Sequence, residues 1–121
     1  MLKLTISCGP KGGDMPTFMS QWRYKPEALG AMARGAIDNP EYVARMVRAL
    51  GGELLCYYHC YGPYDGMAIA RMPDGVTNLA SVLAALSVGA TQTTVTTQLF
   101  DADEVKTASR LAADVLKQME G

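Results

Sequence analysis

Residues 53–72 read ELLCYYHCYGPYDGMAIARM. Two runs rich in aromatic, aliphatic and small apolar side chains flank Gly62-Pro63, a dipeptide that breaks regular structure and favours a turn. The pattern predicts two strands, Glu53–Tyr61 and Tyr64–Met72, joined by a tight turn. An antiparallel hairpin therefore sits in the middle of the chain, and the segments on either side decide what it belongs to.

Upstream, Thr17–Tyr24 (TFMSQWRY) alternates, with Phe18, Trp22 and Tyr24 on one face and Met19, Gln21 and Arg23 on the other. That period of two predicts a strand. Lys25-Pro26-Glu27 then opens a helix, with proline in a favoured first-turn position. Its apolar stripe runs through Leu29, Met32, Ala33 and Ala36. Asp38-Asn39-Pro40 interrupts the pattern, which resumes through Val43, Met46, Val47 and Leu50. Asn39 is expected to cap this second piece and Gly51-Gly52 to end it.

Downstream, Pro73-Asp74-Gly75 leads into a helix whose Leu79, Val82, Leu83 and Leu86 are expected to face inward. Thr91–Phe100 is rich in β-branched threonine and reads as a fourth strand. Asp101 and Glu104 have the spacing of a capping box. The last helix carries Val105, Ala108, Leu111, Ala112, Val115, Leu116 and Met119 on one stripe. The order β-α-β-β-α-β plus a C-terminal helix predicts a ferredoxin-like α+β fold with antiparallel strand order 4-1-3-2. In the third strand Met67 and Ile69 alternate with Ala68, Ala70 and Met72, so neither face is polar. A half-solvated sheet should alternate apolar with polar residues, and a second subunit over the open face is expected.

The chain has 121 residues, 49% of them hydrophobic, which suits one folded domain. The reading assigns residues 15–121 to that domain and residues 1–14, including the Cys8–Asp14 stretch CGPKGGD, to a flexible leader or N-terminal extension. Eleven basic against twelve acidic residues leave a net charge of −1. No basic field is available for a phosphate backbone, so nucleic acid is not an expected partner. No run approaches the ~20 apolar residues of a membrane span. Three cysteines cannot all pair within one chain, and reduced thiols in the cytoplasm are the simplest expectation.

The scarce side chains are unevenly placed. Four of six tyrosines, two of three cysteines and the single histidine lie within Cys56–Tyr64. A metal site from Cys56, His59 and Cys60 would suit a helix, but strand parity sends His59 to the face opposite both cysteines. The same parity separates His59 from Cys60 as a nucleophile–base pair. No metal and no obligatory cofactor are expected. The antiparallel order instead brings the end of the first strand to the hairpin turn, gathering Trp22, Arg23, Tyr24, Tyr58, Tyr61, Tyr64 and Asp65 at one end of the sheet. Apolar walls with a few orienting polar groups suit a small-molecule pocket. His59 and Asp65 are the candidates for moving a proton. Each residue also has an ordinary structural use: tyrosines fill cores, and Asp65 is well placed to anchor the turn.

From Tyr58 to Asp65 (YHCYGPYD) the sequence resembles the GYD domain family. Further likeness lies in Met15-Pro16-Thr17-Phe18, in the aromatic Tyr24, in Ala49-Leu50-Gly51-Gly52 and in the threonine-rich last strand. It spans about Met15 to Asp101. Pro63, His59 and the first fourteen residues depart from the family pattern. The resemblance implies a ferredoxin-like fold akin to dimeric α+β barrels, and it carries no agreed catalytic residues. Gly62, Tyr64 and Asp65 are signature positions. The expectation is a cytoplasmic homodimer that binds a small aromatic or apolar ligand at one end of the sheet. The alternatives are a cofactor-independent isomerase or monooxygenase and a structural oligomerisation module.

Overall fold

Four strands and four helices follow one another as β1 (Thr17–Tyr24), α1 (Pro26–Ala33), α2 (Pro40–Ala49), β2 (Glu53–His59), β3 (Gly66–Arg71), α3 (Gly75–Ser87), β4 (Thr91–Leu99) and α4 (Ala102–Glu120). The computed structural model describes residues 15–36 and 40–121. The expected leader over residues 1–14 and the Asn39 cap lie outside the described residues. The strands form one antiparallel sheet in the order β2-β3-β1-β4, which read from the other edge is the expected 4-1-3-2.

Alternation in β1 sets the two faces. Phe18, Trp22 and Tyr24 are buried under the helices. Phe18 packs with Val47 of α2 and with Met72, and Val43, Leu50 and Ala70 complete that cluster. A second cluster joins Trp22, Tyr24 and Ala68 to Ala28, Met32, Leu54 and Tyr57. In α1 the inward residues are therefore Ala28 and Met32, while Leu29 is 39% exposed. The end of α2 is a two-glycine stop. The Gly52 amide donates to the Val47 carbonyl and the Gly51 amide to Arg48, with Gly51 at φ +86°. This pairing satisfies carbonyls that the helix end would otherwise leave open.

The hairpin differs from its expected form in two ways. β2 stops at His59 and β3 starts at Gly66, so residues 60–65 form a loop, closed by the Cys60 amide donating to the Asp65 carbonyl at 2.9 Å. β2 also carries an irregularity: Leu54 pairs with Ala70 and Cys56 with Ile69, leaving Leu55 as the extra residue. An inserted residue flips side-chain parity beyond it. Leu54 and Tyr57 consequently share the helix-covered face, a pairing that strict alternation forbids.

The third helix is rotated from the expected orientation. Leu79, Leu83 and Leu86 are 55%, 59% and 39% exposed, whereas Asn78 is buried and Val82 half-buried. Asn78, Ser81 and Val82 turn inward in place of the leucines, which are left exposed. The Asp74 carboxylate accepts from the Thr77 amide at 2.7 Å and caps this helix; those hydrogen bonds hold Asp74 below its ordinary value of 3.8. At α4 the expected capping box forms in full: Asp101 accepts from the Glu104 amide, and Glu104 accepts from the Asp101 amide. No residue of α4 is buried, so its apolar stripe lies open.

Candidate functional site

The end of β1 meets the β2–β3 loop through polar contacts. The Asp65 amide donates to the Trp22 carbonyl at 2.8 Å, and the Asp65 Oδ2 accepts from the Tyr24 amide at 2.9 Å. Arg23 Nη1 donates to the carbonyls of Pro63 at 2.9 Å and Gly62 at 3.4 Å. Gly62 sits at φ +131°, a conformation that a side chain disfavours. The Asp65 carboxylate thus binds the loop to the sheet. Asp65→Ala leaves the part-buried Tyr24 amide without this acceptor. It is expected to lower stability by about 1–3 kcal/mol, measured by urea unfolding.

The residues expected to share one rim divide between several surroundings. Trp22 and Tyr24 face the helices. Arg23 and Tyr58 lie on the opposite face of the sheet by strand alternation, since Tyr58 pairs with Met67 and Arg23 neighbours Trp22. Tyr61 is 98% exposed in the loop, and Tyr64 is half-buried there. His59 keeps its aromatic company: its ring lies 5.5 Å from Tyr57, edge-on, and 6.4 Å from Tyr24. Cys56 is fully buried, and burial pushes its thiol up from the ordinary 9.0. Cys60 is exposed, with its thiol donating to the Tyr64 carbonyl at 3.3 Å. Among the described residues no three metal-binding side chains cluster.

A concavity does form, but deeper along the helix-covered face than the sheet's end. It has a volume of about 180 Å³ and lies between the sheet, α2 and α3. Its floor is Trp22, Tyr24, Leu54, Tyr57, Ala68 and Ala70. One wall comes from Val43, Met46 and Val47 of α2, the other from Asn78, Ser81, Val82 and Ala85 of α3. Val88, Ala90, Thr91 and Thr94 continue the lining past the end of α3. The surface is overwhelmingly apolar, and none of the described residues lining it carries a charge. Neither His59 nor Asp65 is part of this lining.

Two polar groups stand out against that apolar surface. Asn78 is 6% exposed, and its side-chain amide makes no hydrogen bond to another described residue. The Thr91 hydroxyl is buried with no hydrogen-bond partner among the described residues. That hydroxyl is sealed from the cavity, whereas Asn78 lies in the cavity wall and its amide can bond to something else. Sequence reasoning missed Asn78. The available signal was α3 itself: its thirteen residues contain no charged side chain, so its polar positions are not a solvated charged face.

No curated protein matches the chain. Among solved structures, the crystal structure of MtbAldR superposes with a TM-score of 0.53 at 15% identity, over 78% of this chain and 62% of that one. The chain thus spans about three fifths of the MtbAldR length, and the likeness is one of fold. TTHA0845 from Thermus thermophilus gives a TM-score of 0.47 at 24% identity, over 73% of this chain and 96% of that one. The GYD domain model matches residues 18–108, from the first buried aromatic of β1 into α4 and through the whole sheet and the loop that Asp65 ties down. By that match, over most of its length, the chain belongs to the GYD domain family.

Proposed function

We propose that this GYD domain is a binding module for a small aromatic or apolar molecule, held in the cavity between the sheet, α2 and α3. One observation carries the reading: a cavity of about 180 Å³ with an apolar, partly aromatic wall. An engineered cavity of about 150 Å³ lined by apolar side chains stays dry and takes up benzene, so this space has the size of one ring. Trp22 and Tyr24 form part of the cavity floor. Single-ring compounds are expected to raise the melting temperature of the full chain by a few degrees at concentrations well above Kd. Ala85→Phe, which fills the cavity from α3, is expected to abolish that rise. A screen with no shift for any ring compound refutes the reading.

A second role is supported by a different feature. Val76, Leu79, Leu83 and Leu86 form a 3-4-spaced stripe on the outer side of α3, and Val105, Leu111, Val115, Leu116 and Met119 stand open on α4. Contiguous exposed apolar faces mark association surfaces. Self-association of the chain through these faces, with the open sheet face as a further surface, accords with the homodimer expected from the sequence. Light scattering at micromolar concentration is expected to give at least twice the 13.0 kDa chain mass. Leu111→Glu with Leu116→Glu is expected to shift it toward the monomer, and a monomeric wild type ends this reading. Among the described residues no helix is long and apolar enough to cross a membrane.

A further inference from the structure

The cavity's chemistry is narrower than its shape. We infer that its ligand is a neutral single-ring compound bearing a hydrogen-bonding group, which pairs with the Asn78 amide. The inference rests on the binding reading above and specifies the class of molecule.

Two observations support it. First, none of the described lining residues is charged. An ion moved from water into an apolar, uncharged space loses its hydration without a counter-charge, so carboxylates and ammonium ions are disfavoured. Second, Asn78 is 6% exposed and lines the cavity from the first half of α3, with an amide that bonds to no described residue. A primary amide offers both donors and an acceptor, and so takes a phenol, a carbonyl or a neutral amine equally well.

The Asn78 amide bonds to no described residue, so replacing it by an apolar side chain of similar shape is expected to be neutral or stabilising. A ligand with a polar group gains a hydrogen bond there, whereas a bare hydrocarbon does not. This difference separates the inference from simple cavity filling.

The test is calorimetric titration of the full chain with four probes of similar size: phenol, toluene, benzoate and protonated benzylamine. Wild type is expected to bind phenol roughly 3- to 10-fold more tightly than toluene, the value of one net hydrogen bond. Benzoate and benzylamine are expected to give no measurable heat. Asn78→Leu is expected to bind phenol and toluene within twofold of one another while melting no lower than wild type. Equal binding of phenol and toluene by wild type, or a phenol preference that survives in Asn78→Leu, overturns the inference and leaves the cavity reading standing. Benzoate binding as tightly as phenol also overturns it. An Asn78→Leu variant that melts well below wild type shows the amide to be structural and overturns it as well. If none of the four binds, the binding reading falls and the inference with it.

Discussion

Trp22→Ala is expected to remove about 3–5 kcal/mol of stability, the range for truncating a buried aromatic that leaves a void. Trp22 is 9% exposed and lies at the middle of the second core cluster. Its ring meets Tyr57 at 5.4 Å and Tyr24 edge-on at 6.4 Å, so one side chain ties β1 to β2 and supports the cavity floor. The surroundings cannot collapse easily into the space, because the neighbouring region is already a cavity of about 180 Å³. Buried apolar residues are few among those described, and α4 contributes none. Losing Trp22 therefore removes a large share of the packing. Urea unfolding followed by circular dichroism measures the change; a loss below about 1 kcal/mol shows that the ring is not a principal support.

Gly66→Ala is the second large effect. A Cβ built at Gly66 lies 2.5 Å from Trp22 Cε2 and Cζ2 and 2.7 Å from Nε1, closer than real atoms approach. Trp22 pairs with Gly66 across the β1–β3 ladder, so the indole lies over the glycine as part of the sheet's own register. The backbone at Gly66 is not in the left-handed region, and the cost is steric. Overpacking of this kind costs about 1–3 kcal/mol. It should depend on the ring: in a Trp22→Leu background the alanine is expected to cost at least about 1 kcal/mol less, a coupling typical of residues in contact. An equal cost in both backgrounds shows that Gly66 is required for some reason other than room for Trp22.

Part of this arrangement was legible in the sequence. Alternation over Thr17–Tyr24 identified Phe18, Trp22 and Tyr24 as the buried face, and the structure agrees. The order of elements implied the antiparallel topology and the approach of Asp65 to the end of β1. The Asp101–Glu104 spacing marked the capping box. Other features were not legible. The irregularity at Leu54/Cys56 breaks the parity that a strand pattern assumes, and it brings Leu54 and Tyr57 together under the helices. Tyr58, on the other parity, falls on the far face, while Tyr61 leaves the sheet altogether. The α3 stripe was visible, but not the side it would take.

Local causes account for everything that could be read without coordinates: which segments are strands and helices, their order, the family, and where the aromatic residues fall along the chain. Side-chain period, capping geometry, and glycine and proline at turns all act within a few residues. The position of the cavity beneath α2 and α3, rather than at the rim, has no such local cause. Neither does the isolation of the Asn78 amide and the Thr91 hydroxyl, nor the outward turn of the α3 leucines. Hydrophobic burial is non-directional. A periodic stripe specifies that a face seeks cover, but which body covers it depends on contacts between segments far apart in the chain.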